Sequence, residues 1–223
     1  MEEIFTETGK VYSFVNPVSY LQIRPHCRLY DDVDGLFADG SLMVFFIALF
    51  CGKKIRRYSF DMTSMAKTFF EFASKNGKSV YLIGSEQERI EIAHKTIVGK
   101  YPNLKVVEYR NGYFANDDER QAAIQRIVEL QPDYVIVGMG AVVQDRFLVD
   151  LKKAGFKGIG FSCGGFFSQM AQKESIDYYP PWVDRLNIRF LYRMYKEPHT
   201  RGRYLNALFS FPLKFLSDLR KSR

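Results

Sequence analysis

Between residues 79 and 162 one pattern repeats: a short run of apolar residues, a turn, a helical stretch, and another apolar run. Ser79 to Ile83, Leu104 to Glu108, Tyr134 to Val137 and a run near Gly158 to Ser162 read as strands. Glu86 to Lys100, Asp117 to Leu130 and a stretch near Gln144 to Ala154 read as helices between them. The runs lack polar alternation, so both faces of each strand must be buried. Strands of that kind joined by helical crossovers form a parallel sheet, because a parallel neighbour can be reached only by crossing over the sheet. The expected fold is therefore α/β: a Rossmann-like, mostly parallel sheet flanked by helices.

The regions outside the repeat are read by the same periods. Val11 to Val15 is a short buried strand, followed by a polar irregular stretch to Gly40 and an apolar helix from Ser41 to Phe50. Asp61 or Thr63 is placed to cap a helix whose apolar positions Met65, Phe69, Phe70 and Phe72 recur before Asn76-Gly77. After Pro180-Pro181 the character changes: Trp182 to Tyr195 is basic and aromatic, and Tyr204 to Leu219 is a second helical stretch interrupted by Pro212. With 223 residues in all, the division expected is one domain over 1–180 and a basic amphipathic helical appendage over 181–223.

The chain carries 32 Lys and Arg against 25 Asp and Glu, for a formal charge of +7, which favours anionic partners. Nearly all of the excess lies from Arg193 onward, where eight cations face only Glu197 and Asp218. Basic residues beside Leu205, Leu208, Phe209 and Leu213 suit an anionic membrane surface. Packing on the chain's own domain, or on a second copy in a homo-oligomer, suits the same pattern. Charge concentrated in an apolar-rich tail argues against nucleic acid. Three scattered cysteines support no disulfide framework, the acidic N-terminus does not read as an export signal, and the longest apolar run, Leu42 to Cys51, is about half a membrane span. The expected location is the cytoplasm, with peripheral attachment to the inner face of the membrane.

In a parallel sheet, ligands collect where strands end and helices begin. Three such turns carry glycine: Gly84-Ser85, Gly138-Met139-Gly140-Ala141 and Ser162-Cys163-Gly164-Gly165. Together they point to a nucleotide-type ligand. Val143 stands where a dinucleotide fingerprint needs its third glycine, and no phosphate-loop GxxxxGK[ST] motif occurs. Asp32-Val33-Asp34 spells the DxD of metal-dependent sugar transferases, with a solvated turn as the competing reading. Asp39-Gly40 and Asp61 are carboxylates in apolar surroundings, and a helix cap alone would account for Asp61. The three histidines have no metal-site or triad spacing, and no GxSxG elbow occurs.

The order of these motifs resembles the WecG/TagA/CpsF glycosyltransferase family. Asn16-Pro17, Ala38-Asp39-Gly40, RYSFD over Arg57 to Asp61, YLIGS, KYPNLKVV, NGYF, GMGAVVQD over Gly138 to Asp145, and LYRMYKEPHTRGRY over Leu191 to Tyr204 carry the resemblance along nearly the whole chain. Departures from the family pattern are Phe14, Ser59, Val142 for Pro, Asp145 for Glu, Ser168, the run Tyr178 to Pro181, and Arg189-Phe190. The resemblance implies an inverting transferase that needs no metal and no cofactor. It would move a sugar, an N-acetylhexosamine, hexose or uronic acid, from a UDP-sugar to a polyprenyl-diphosphate-linked saccharide in bacterial surface polysaccharide assembly. It implies Asp61 as the general base. It also implies Asn16, Asp39, Gly40, Gly138, Gly140, Gln144, Gly164, Gly165, Arg193, Arg201 and Arg203 as the residues that bind donor and diphosphate. A catalytically impaired nucleotide-sugar or anionic-lipid binding protein of the same fold is the alternative.

Overall fold

The computed structural model describes residues 2–173, 180, 182–183 and 188–221. Six strands, β1 (Lys10–Val15), β2 (Gly35–Ala38), β3 (Ser79–Gly84), β4 (Lys105–Arg110), β5 (Tyr134–Gly138) and β6 (Ile159–Ser162), form one sheet in the order β2-β1-β6-β5-β3-β4. The pairs β1/β6, β6/β5, β5/β3 and β3/β4 are parallel. Along β1 and β2 the amides of Asp34 and Asp39 donate to the carbonyls of Val11 and Val15, a pairing of the same sense, so the whole sheet is parallel. The α/β reading of the sequence holds.

Nine helices enter the description: α1 (Pro17–Ile23), α2 (Ser41–Cys51), α3 (Met65–Lys75), α4 (Gln87–Lys100), α5 (Asp117–Leu130), α6 (Val143–Lys153), α7 (Phe166–Lys173), α8 (Arg189–Lys196) and α9 (Arg201–Lys221). Three elements lie in the stretch read as irregular: α1, a 3-10 segment over Arg24–Asp32, and β2. Asn16 starts α1, its side-chain oxygen accepting from the Val18 and Ser19 amides at 3.0 Å each while the Ser19 hydroxyl accepts from the Asn16 amide. This capping box holds a helix of only seven residues, too short to show a period. β2, Gly-Leu-Phe-Ala, is only four residues long and half-buried, so its apolar run is too short to stand out as a strand. Downstream, α3 begins at Met65 rather than at the expected cap, and α9 runs without a break through Pro212.

The chain divides into two compact units. The first comprises residues 1–13, 28–36 and 60–178; the second comprises 14–27, 37–59 and 179–223. Pro181, the expected start of the appendage, lies outside the described residues.

In the first unit the core sits on both sides of the sheet. Val11, Tyr81, Ile83, Val135 and Val137 pack against Ile124, Ile127, Phe147, Leu148 and Leu151 on one side. On the other, Phe5, Phe60, Phe69, Tyr134 and Phe161 form a cluster of edge-on and tilted rings with centroids between 4.9 and 6.1 Å apart. Burial on both faces is why β3, β5 and β6 show no alternation; β4, at the sheet edge, has no fully buried residue, contrary to the expectation that both its faces are covered.

The second unit is organised by α9 against α1 and α2. Ala207, Phe211 and Phe215 recur every fourth residue on its buried side, and the Phe46 ring lies 5.1 Å from that of Phe211. Asp218 ties the far end of α9 to α1: it accepts from Arg24 Nε and Nη2 and, at 2.7 Å, from the Tyr20 hydroxyl. Arg24 and Tyr20 together hold the Asp218 carboxyl below its usual range.

Candidate active site

After β3 the chain crosses to β4 on one side, and after β5 it crosses to β6 on the other. The crevice beyond the carboxyl ends of β3 and β5 is therefore the topological switch point, where such sheets hold ligands. Gly84 and Gly138 stand opposite each other there. A Cβ on Gly84 would lie 2.3 Å from the Gly138 carbonyl oxygen, and one on Gly138 would lie 2.9 Å from both Cys163 Sγ and the Phe167 ring. A Cβ on Gly112 would meet the Gly84 backbone at 2.9 Å. Glycine at these positions brings the ends of β3, β5 and β6 closer than any side chain permits.

Side chains and amides lock this junction. The Ser85 amide donates to the Gly138 carbonyl at 2.9 Å, its carbonyl accepts from the Gly112 amide at 2.9 Å, and its hydroxyl pairs with that of Ser168 at 2.8 Å. Ser168, a departure from the family pattern, thus bridges α7 to the turn after β3. Gln144 is buried, and its Oε1 accepts from the Gly164 amide at 3.1 Å, joining the turn after β6 to the start of α6. Gly140 and Gly164 have left-handed φ of 84° and 56° with open space where a Cβ would sit. Their backbone is accessible to a ligand, and the amino ends of α4, α6 and α7, which follow these strands directly, place three helix dipoles at the same edge. Gly165 immediately precedes α7.

Asp145, read from the sequence only as a substitution, is the most deeply buried carboxylate among the described residues of this unit. It is 1% exposed and has three uncharged donors: the Ser13 hydroxyl at 2.6 Å, the Tyr30 hydroxyl at 2.6 Å and the Val142 amide at 2.9 Å. Burial, then the bond to Asp145, pushes the Tyr30 phenol far above its ordinary value, so it stays a donor. The pattern that could have flagged Asp145 is an acid in the first turn of a helix next to a glycine turn. Cys163, in the same turn region, is buried and its thiol is pushed well up by that burial, which makes it a packing group and not a nucleophile.

Asp61 lies in the turn before α3. Its Oδ1 accepts from the Thr63 amide at 2.9 Å and the Thr63 hydroxyl at 2.7 Å, an Asx turn that satisfies part of the structural reading. The carboxylate is nevertheless half-exposed between two buried neighbours, Phe60 and Met62. The Phe60 ring packs 5.8 Å from Phe161 on β6 and 5.6 Å from Phe166, the first residue of α7. Residue 61 is thereby anchored beside the turn that carries Gly164 and Gly165.

The two carboxylates of the DxD run lie at the opposite edge. Asp34 accepts from the Val11 amide at 2.8 Å near the start of β1 and from Lys152 at 2.7 Å, and Asp32 accepts from Lys153 at 2.6 Å. Lysines therefore already occupy both. Among the described residues no group of three or more His, Cys, Asp or Glu could hold a metal ion.

In the second unit, Asn16 and Gly40 are neighbours: a Cβ on Gly40, whose φ is 86°, would lie 4.0 Å from Asn16 Cβ. The cap uses Asn16 Oδ1. The Asp39 amide pairs with Val15. Among the tail arginines, Arg193 Nε donates to the buried Glu197 at 3.2 Å, so its charge is already met, and Arg201 Nε donates to the Met194 carbonyl at 2.9 Å. Arg201 and Arg203 are exposed at the start of α9. Ser59, another departure, is buried and accepts from Arg189 at 3.2 Å.

A parallel α/β protein with glycine-lined turns at its switch point is the class that fold and geometry define. The chain belongs to the glycosyl transferase WecG/TagA/CpsF family, whose model matches residues 1–223, and it is a glycosyltransferase. It is 34% identical over 208 residues, 93% of this chain and 86% of the other, to a UDP-Gal:alpha-D-GlcNAc-diphosphoundecaprenol beta-1,4-galactosyltransferase of Shigella boydii. It is 27% and 28% identical to N-acetylglucosaminyldiphosphoundecaprenol N-acetyl-beta-D-mannosaminyltransferases of Bacillus subtilis strain 168 and Staphylococcus aureus strain MW2, over 63% and 68% of this chain. Those matches span 53% and 57% of the two relatives' own length. Among solved structures, an extracellular ligand-binding receptor from Rhodopseudomonas palustris HaA2 aligns over 74% of this chain and 64% of that one at 13% identity with a TM-score of 0.36, too loose a likeness to support an argument.

Proposed function

We propose that this chain transfers a hexose from a UDP-hexose, with UDP-galactose the first donor to test, to a GlcNAc-diphospholipid of the undecaprenol type during bacterial surface polysaccharide assembly. The observation that carries this reading is the cluster of open glycine turns at the switch point, in a chain matched along its full length by a family of sugar transferases. Support for galactose and for the acceptor comes from the Shigella relative, matched over 93% of the chain. All the relatives named make β linkages; from the α-linked sugar of a UDP-hexose, a β product requires inversion and hence one base.

Asp61 is the proposed base. Its carboxylate takes the proton of the acceptor hydroxyl as that oxygen attacks the anomeric carbon, while the bond to the UDP oxygen breaks. A positioned base contributes about 10²- to 10⁴-fold. The amides of Met139, Gly140 and Gly165, with the helix dipoles behind them, oppose the charge that grows on the departing UDP, while Gly164, its amide held by Gln144, lets the backbone of its turn come close. Gln144 holds the Gly164 turn and offers its amide nitrogen to the donor. Asn16, Asp39 and Gly40 are proposed to contact the substrates. Arg201 and Arg203 are proposed to offset diphosphate charge, with Arg193 a lesser contributor because Glu197 already neutralises it. No step is assigned to a divalent ion, since lysines hold Asp32 and Asp34, and attachment to the inner leaflet through the basic tail brings the enzyme to its lipid-linked acceptor.

Transfer from UDP-galactose to a short-chain, water-soluble GlcNAc-diphospholipid tests the reading. Turnover should persist in EDTA and fall at least about 100-fold in Asp61→Asn. Parental rates in that variant would remove Asp61 from the chemistry. Donor binding without acceptor-dependent UDP release would favour the binding-protein alternative.

A further inference from the structure

Helix α2 is apolar around its whole circumference: Ser-Leu-Met-Val-Phe-Phe-Ile-Ala-Leu-Phe-Cys holds no charge in 11 residues. A helix of that composition normally lies inside a protein. Here only Met43 is buried, Phe45 and Leu49 are 56% and 59% exposed, and Ala48 is exposed between them. Positions 45, 48, 49 and 52 form one stripe, and Gly52 ends the helix in a left-handed conformation with φ 65°. The next residues are Lys53-Lys54-Ile55-Arg56-Arg57, of which Lys53, Lys54 and Arg56 are exposed.

The other side of α2 is occupied. Phe46 packs on Phe211 and Phe215 of α9, with centroids 5.1 and 5.7 Å away. α9 has an uncovered row of its own, in which Leu205, Phe209 and Leu213 recur every fourth residue and are 49%, 72% and 71% exposed, headed by Arg201. At 11 residues α2 is about half the length that spans a bilayer, and no described helix is long and apolar enough to cross one. An uncharged stripe ending in a cluster of cations fits one environment: the boundary between acyl chains and anionic headgroups, with the helix lying in the plane.

We propose that α2 inserts its Phe45–Leu49 stripe into the anionic leaflet, with Lys53, Lys54 and Arg56 on the headgroups, as a membrane-binding element additional to the C-terminal tail. The benefit for catalysis rests on the lipid-linked acceptor of the reading above; the binding itself does not.

The test uses the full chain with phosphatidylcholine vesicles, with and without phosphatidylglycerol. The chain has a single tryptophan, so Phe45→Trp in a Trp182→Phe background reports from the stripe alone. Its fluorescence should be quenched by brominated lipids in anionic vesicles. Phe45→Ser with Leu49→Ser should lower vesicle partitioning at least about tenfold, since two large apolar side chains are withdrawn. Lys53→Glu with Lys54→Glu should abolish the preference for anionic vesicles. Transfer to a water-soluble short-chain acceptor should be unchanged in all of these variants. If the parent lacks that transfer, the proposed reaction fails while the vesicle result still stands or falls alone. An unquenched indole in the Phe45→Trp variant, or unchanged partitioning in both double variants at retained melting temperature, overturns the proposal. So does a parental dimer, seen by sedimentation, that the serine variant dissociates, because a second copy would then cover the stripe.

Discussion

Val142 occupies φ 70° and ψ −50°, a conformation that a β-branched residue adopts only under strain. Its amide donates to Asp145 Oδ2 at 2.9 Å, so the turn is fixed by the same buried carboxylate that binds Ser13 and Tyr30. Val142→Gly relieves the strain and should raise stability by up to about 1 kcal/mol, or roughly 2–4 °C in melting temperature. Val142→Pro restores the residue usual in the family but forces φ near −65° and deletes the amide, and should lower the melting temperature instead. Equal shifts for both would contradict the strained turn. Asp145→Ala leaves the Tyr30 hydroxyl and that amide without an acceptor, while Ser13 keeps the Ser162 hydroxyl at 3.0 Å, and should cost about 2 kcal/mol in urea denaturation. At residue 61 the side-chain oxygen of asparagine can still accept from Thr63, so Asp61→Asn removes the charge and keeps the turn. It should melt with the parent while losing turnover.

At the level of elements, the junction of β3 with β5 is the stringent point. Gly84→Ala puts a methyl group 2.3 Å from a backbone oxygen and should destabilise the protein by more than about 3 kcal/mol or prevent expression. Gly140→Ala meets open space and should cost far less, its penalty coming from φ alone. A thermal-denaturation comparison of the two separates packing glycines from conformational ones. The central strands and the helices from α4 to α6 are readable in the sequence because burial on both faces removes alternation and leaves a plain apolar signal. α1 and β2 are not readable. The first is a single capped helix of two turns, and the second is a half-exposed edge strand, so neither generates a period. The glycine turns can be named from the sequence, but their closeness cannot: that Gly84, Gly112, Gly138 and Gly164 share one junction is a product of strand order, which follows from the crossovers and not from any local run.

Across the whole molecule, carboxyls held below their usual range on folding, Asp34 and Asp133 as well as Asp218 among them, set the acid limit of stability. Burial alone would raise Asp34, but Lys152 and the Val11 amide outweigh it and leave the carboxyl below its usual range. Burial likewise opposes ionisation of Asp133, and the Ser79 amide and hydroxyl with Lys78 reverse that effect. A carboxyl depressed on folding stabilises fully above its unfolded pKa of about 4, and the contribution disappears as pH falls through the lower folded value. The urea midpoint should therefore be insensitive to these groups from pH 7 to 5 and fall below about pH 4, less steeply in Asp34→Asn. The same region shows what a short motif hides. Asp32 and Asp34 spell a metal motif, yet the fold sets them beside α6 lysines at the amino edge of the sheet.

The role of Asp61 is named through resemblance, since the residue types around it suit a helix cap; in the structure Ser64 precedes α3, Asp61 makes an Asx turn with Thr63, and Phe60 anchors it beside β6 and α7. The proposed reaction is tested most directly by acceptor-dependent UDP release from UDP-galactose in EDTA, measured with a short-chain GlcNAc-diphospholipid. Release that rises with acceptor, and that Asp61→Asn lowers at least about 100-fold at unchanged melting temperature, is the expected result. Release no faster with acceptor than without it would contradict the account.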